Sequence, residues 1–169
     1  MKNTNFLQDS SFQLVIPRFS NVQFHGQGVN IPSVKLNATK AATPYVDMPL
    51  AGDKMEFGTF ECTFIVDEQL LNYEEIFNWI QSISFATSNE DFTNYPGKGP
   101  AKIQSLGEQD ITLTILNSKN NPVVDFVFHD AIPTGLSGPT LMTTSNDLNY
   151  LYCTATFEYT YFKMVRNPA

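Results

Sequence analysis

Few side chains in this sequence have the types and spacing that do chemistry. The histidines are His25 and His129. His129 is followed by Asp130, and neighbours in a strand point to opposite faces, so they form no orienting pair within one strand. No Cys/His set has zinc-site spacing, and no serine occupies a Gly-x-Ser-x-Gly elbow. Gly97-Lys98-Gly99 hints at a phosphate loop. It lacks the leading glycine and the Ser/Thr after the lysine, and it does not join a buried strand to a helix. No catalytic residue, metal or cofactor is therefore expected. Asp47, Asp53, Asp67, Glu61 and Glu158 remain as carboxylates that could supply a glycosidase pair. Glu61 and Glu158 stand out because both fall on polar faces of long strands. The simpler reading is that both solvate a polar sheet face.

Two alternating segments must position those carboxylates. From Tyr150 to Met164 one face carries Leu151, Cys153, Ala155, Phe157, Tyr159 and Tyr161; the other carries Tyr152, Thr154, Thr156, Glu158 and Thr160. This period predicts one long strand with an apolar and a hydroxylated, mildly acidic side. Phe57 to Val66 repeats the arrangement: Phe60, Cys62, Phe64 and Val66 against Thr59, Glu61 and Thr63. A helix follows over about residues 73–85. Asn72 is placed as its N-cap, Glu75 completes a capping box, and Leu71 and Ile76 are spaced as a hydrophobic staple. Ile76, Trp79, Ile80 and Ile83 form one apolar stripe, which predicts core packing for Trp79.

Around these lie weaker signals. Phe12 to Ile16 reads as a strand stopped by Pro17, and Asn21 to His25 as a second, followed by Gly26 and Gly28 as turns or a bulge. Residues 37–56 lose the pattern at Pro44, Pro49 and Gly52 while keeping Tyr45, Val46, Met48, Leu50 and Met55. So long a structureless connection is rare, and an extended hairpin arm contacting a neighbour is expected. Residues 87–109 read as a long polar loop. Asp110 to Leu116 and Val123 to His129 form a hairpin about Ser118–Pro122, and Pro133 to Asp147 reads as a loop. The sum is roughly six or seven antiparallel strands and a helix, a β-barrel or strongly curved sandwich with one flanking α-helix.

Composition narrows the function. The 169 residues suit a single domain, and 42% hydrophobic with 13% aromatic residues can build a sizeable core. A net charge of -7 without a Lys/Arg cluster argues against static nucleic-acid binding. It is compatible with a surface that lets DNA slide past. No apolar run is long enough for a membrane helix, so membrane insertion is not expected. The first nine residues carry no hydrophobic segment, which argues against a secretory signal. Cys62 and Cys153 fall on apolar faces, where buried free thiols are expected.

The order of elements carries a resemblance across nearly the whole chain. Phe12-Gln-Leu-Val-Ile16 is followed by an arm ending in Leu50-Ala-Gly-Asp53, then Val66-Asp-Glu68, Asn72-Tyr73 and the Trp79 helix. Asp130-Ala-Ile-Pro133, a Leu-Ser-Gly loop at 136–138 and the Thr-Ala-Thr-Phe-Glu-Tyr-Thr-Tyr strand complete it. This arrangement resembles the tail tube proteins of contractile-tailed bacteriophages. The resemblance implies a virion structural protein, made in the host cytoplasm and not an enzyme. It implies homohexameric rings stacked into an inner tail tube that conducts DNA and the tape-measure protein, with sheath and baseplate as further partners. Tube-initiating proteins of the baseplate and the tubes of type VI secretion and related injection devices share the fold. The loop at 87–109 departs from the pattern and could reach the next ring or the sheath.

On this reading Thr59, Glu61, Thr63, Thr154, Thr156, Glu158 and Thr160 line the lumen, although the same faces could meet the sheath instead. Tyr45, Val46, Met48 and Leu50 of the arm contact an adjacent subunit. A carbohydrate- or receptor-binding β-module is the alternative from another class.

Overall fold

The alternation in the two Thr/Glu segments brings them together as neighbouring strands. The computed structural model describes residues 12–17, 26–84, 108–143 and 150–167. The elements are β1 (Phe12–Val15), β2 (Gly26–Val29), β3 (Val34–Ala41), β4 (Met48–Phe57), β5 (Phe60–Ile65), α1 (Leu71–Ser84), β6 (Gln109–Leu116), β7 (Pro122–Leu136), β8 (Tyr152–Glu158) and β9 (Tyr161–Arg166). All strand pairs are antiparallel. A 7-stranded sheet runs β1-β6-β7-β8-β5-β2, with β9 also paired to β7, and β3 and β4 make a separate two-stranded sheet. The expected strand at 21–25, with His25, and the expected loop at 87–109 as far as residue 107, with Gly97-Lys98-Gly99, lie outside the described residues, and Gln109 already begins β6.

The mainly β architecture with one flanking helix is as expected, but the barrel or strongly curved sandwich is not. The sheet is an open path, and among the described residues no sheet closes or curls strongly. Its end strands β1 and β2 have 4 residues each, so joining them would gain few ladder bonds. The path also branches at β7. Val124 to His129 pairs with β9 while β6 lies on the other side, whereas Ile132 to Leu136 pairs with β8. Asp130, at φ 57°, marks the change of partner.

Two boundaries differ from the sequence reading for related reasons. β7 runs through Pro133 to Leu136, where proline and glycine suggest a loop. A register shift between Pro133 and Gly135 accommodates the missing donor. The single long C-terminal strand is instead β8 and β9. Alternation slips at Tyr159–Thr160, so that Phe162, rather than Tyr161, packs on Phe126 and Phe128 at 5.9 and 5.6 Å. Gly26 and Gly28 flank a bulge within β2.

One apolar cluster fills the interior. Phe60 meets Phe128 at 4.6 Å and Phe157 at 5.9 Å. Trp79, fully buried, reaches Phe157 at 5.8 Å, which places the α1 stripe in the core. The helix start differs in detail from a simple cap. Leu70, at φ 59°, accepts the first helical bond from Glu74 N at 2.9 Å. Asn72 is fully buried. Its Nδ2 donates to Ile65 O at 2.7 Å, and its Oδ1 accepts from Asp67 N at 3.2 Å and Tyr73 N at 2.9 Å. Its amide thus ties the helix to the end of β5.

Candidate interaction surfaces

The β5–β8 register decides which Thr and Glu side chains share a face. Glu61 stands opposite Thr156 and Thr63 opposite Thr154. The Thr63 and Thr154 hydroxyl oxygens are 3.2 Å apart and hydrogen-bonded. Glu158 lies two residues beyond Thr156 on the same face of β8, opposite Ile132 of β7. The two carboxylates are therefore diagonal neighbours, about 7–8 Å apart along the backbone, and both are exposed. Gly135 lies opposite Thr156, which keeps this face low. Thr59 and Thr160 sit just outside the strands. Thr59 O accepts from Asn30 Nδ2 at 3.1 Å, and Thr160 N donates to His129 O at 3.0 Å. The pattern thus unites Glu61, Thr63, Thr154, Thr156 and Glu158 and leaves Thr59 and Thr160 at its ends.

The β3–β4 hairpin is the second surface. Tyr45 and Val46 lie in its turn, where the Thr43 hydroxyl donates to Val46 O and accepts from Val46 N. Tyr45 is 96% exposed, and Met48 and Leu50 are about half exposed. Nearer the base, Val34 pairs with Phe57 and Leu36 with Met55. These two pairs share one apolar face, and Val34, Leu36 and Met55 are all largely uncovered. Val34 and Leu36 lie just before the arm expected at 37–56; the Val34–Leu36–Ala38 alternation is the signal that marks them. On the opposite face Asn37 Nδ2 donates to Glu56 Oε1 at 2.8 Å.

No protein-family model matches the sequence. The tail tube terminator protein of Enterobacteria phage T4 is 27% identical over 170 residues, a span of 96% of this chain and 91% of that protein. The tube-terminating cap of the anti-feeding prophage aligns with a TM-score of 0.68 at 12% identity, covering 99% of this chain and 95% of its own. A chain of the extended PVC sheath–tube complex, an extracellular contractile injection system, aligns with a TM-score of 0.67 at 15% identity, covering 97% and 94%. The chain shares the fold of these tube and tube-cap proteins.

Among the described residues the titratable groups make no catalytic constellation. His129 Nδ1 lies 3.3 Å from Asp110 Oδ2, so its carboxylate neighbour comes from β6 rather than from Asp130. Asp110 Oδ1 accepts from Asp130 N at 3.2 Å, which steadies the β7 irregularity. The His129 ring stacks near Tyr161 at 4.7 Å. Among the described residues no group of three or more His, Cys, Asp or Glu is placed to hold a metal. Cys62 and Cys153 are free and buried. Burial pushes the Cys62 thiol up to about 12, which keeps it protonated and inert near neutrality. Burial also raises Cys153, against a smaller lowering from its hydrogen bond with Ser137.

Proposed function

We propose that this chain is a structural, non-catalytic component of a contractile injection particle, and specifically a tube-terminator-type protein: a ring of copies that ends the tail tube. What carries this reading is the sequence identity to a tube terminator, which runs through 96% of the chain rather than one motif. The likeness to a tube-terminating cap supports it at the level of fold. The physical character of the surface fits a subunit made for assembly. Open sheet ends offer unpaired backbone groups, and the hairpin offers apolar side chains that a monomer leaves in water.

In this proposal the copies close a hexameric ring in the virion, beside sheath, tube and baseplate components. The arm, with Tyr45, Val46, Met48 and Leu50, packs on an adjacent subunit. The Thr/Glu face around Glu61 and Glu158 turns toward the channel. Its hydroxyls are short, and its carboxylates repel phosphate, so DNA and the tape-measure protein pass with little friction.

A second reading, a repeating ring of the tube wall, is favoured by the likeness to the sheath–tube complex. An epitope tag on the chain, located by immunogold microscopy on assembled particles, separates the two. A terminator labels one end of the tube. Label along the whole tube removes the terminator reading in favour of the wall. Absence from particles removes both.

A further inference from the structure

The arm leaves the body at one corner, Gly58–Thr59, between β4 and β5. Several groups from distant parts of the chain converge there. Gly58 N donates to Ser33 O at 2.8 Å, so the two strands of the arm are tied at their base. Asn30 Nδ2 donates to Thr59 O at 3.1 Å, and its Oδ1 accepts from Glu61 N at 2.6 Å, which holds the start of β5. Gly58 O accepts from the Tyr159 hydroxyl at 2.9 Å, across 101 residues of sequence. Beside this bond the Phe57 ring lies 6.1 Å from Tyr159 and 5.3 Å from Phe162. A Cβ at Gly58 would come within 2.8 Å of Ser33 Oγ, so the corner is tight.

We infer that Tyr159 is the positioning residue of the arm: its hydroxyl bond to Gly58, with Phe57 wedged alongside, fixes the angle at which the β3–β4 hairpin leaves the body. Tyr159 suits this role because its ring is held from the other side. It meets Phe128 edge-on at 5.0 Å and Phe162 at 6.1 Å. It also falls in the break between β8 and β9, on the core-facing side that continues from Phe157. Burial raises its hydroxyl to about 12, so it stays protonated and able to donate throughout the physiological range. An arm that must meet a neighbour pre-aimed loses less freedom on assembly than a swinging one. This consequence rests on the arm reading above; the anchoring itself does not.

Tyr159→Phe in the full chain removes the hydroxyl and keeps the ring. Hydrogen exchange should then quicken by about five- to tenfold at hydrogen-bonded amides of residues 34–41 and 48–58, the scale of one lost hydrogen bond. Protection in β5, β6 and β8 should stay unchanged. Spin labels at Asp47 and Lys119 should show a broader distance distribution than in the parent. Gly58→Ala, which disturbs the same corner from the other side, should act in the same direction. Unchanged hairpin protection and an unchanged distance distribution overturn the inference. So does a rise spread equally over β5 and β8, which would make Tyr159 an ordinary core residue. A loosened hairpin with normal ring yield upholds the anchor and removes the arm from assembly instead.

Discussion

The double substitution Leu36→Ser/Met55→Ser asks whether the apolar face of the arm is a contact surface or part of the monomer's own core. The two residues are cross-strand partners, 58% and 59% exposed. Burying a side chain of this size from full exposure is worth about 1.5–3 kcal/mol. With somewhat more than half of each still uncovered, a neighbour can gain about 1–1.5 kcal/mol per side chain. The pair is then worth about 2–3 kcal/mol, or a 30- to 150-fold weaker subunit contact. Within the monomer the same change should move stability by less than about 1 kcal/mol, since exposed substitutions cost little. Circular-dichroism melting measures the second quantity, and sedimentation over a concentration series the first. Parent and variant should melt within a few degrees of each other while the association curve shifts by one to two decades. A variant that melts much earlier yet assembles at the parent concentration refutes the reasoning.

Other substitutions probe the remaining surfaces and the core. Glu61→Lys with Glu158→Lys should leave rings and particles assembled but slow DNA ejection, most strongly at low salt, where phosphate meets the new cations unscreened; normal ejection at low salt would sink the channel assignment. Trp79→Ala should cost about 3–5 kcal/mol in denaturant melts, because the indole is fully buried against Phe157. Asn72→Ala should cost about 1–3 kcal/mol by stranding Ile65 O and Asp67 N. Alkali should destabilise the fold. Cys62 rises from 9.0 and Tyr159 from 10.0, both to about 12, so their neutral forms stabilise the native state fully below about pH 9. That contribution drains away as pH climbs toward 12. Replacing Cys62 and Cys153 by alanine should delay the onset of the thermal-melt decline from near pH 9 to near pH 10.

Local pattern made some of this architecture readable and long-range pairing hid the rest. Alternation alone places Phe60, Cys62 and Phe64 against Cys153, Ala155 and Phe157, because the period of two is a property of each strand by itself. The same alternation places Glu61, Thr63, Thr154, Thr156 and Glu158 on one face. It misleads beyond Tyr159. Tyr159 keeps the apolar alternation and packs on Phe128, but the chain breaks at Thr160 and Phe162, rather than Tyr161, takes the next core position. The length of β7 is concealed by Asp130, Pro133 and Gly135, each a turn signal that a bulged, partner-switching strand can absorb. Open rather than closed topology depends on how short β1 and β2 are and on β9 branching from β7. No segment carries that information by itself. His129 finds Asp110 for the same reason: the partner lies across a register shift between β6 and β7, not beside it in the chain.

A tube wall and a tube end place opposite demands on one fold, and this locates the difference between them. Heterologous contact between rings generates an open polymer; a terminating ring must keep the contact on one side and refuse it on the other. On either proposed role the core, with Phe60, Phe128, Phe157 and Trp79 packed together, does the same work and does not decide the choice. So is lateral ring closure, which a wall ring and an end ring both need. The determinants must therefore sit on surfaces the core leaves free, and the hairpin is the largest uncovered apolar element among the described residues. If the corner at Gly58 and Tyr159 aims it sideways, it serves ring closure, and termination is decided elsewhere. If the corner aims it along the tube axis, the hairpin is the contact made on the tube side, with no counterpart on the far face. Loosening the corner would then weaken attachment of the ring to the tube end more than it weakens the ring, so ring yield and end occupancy, measured together in Tyr159→Phe, separate the two directions.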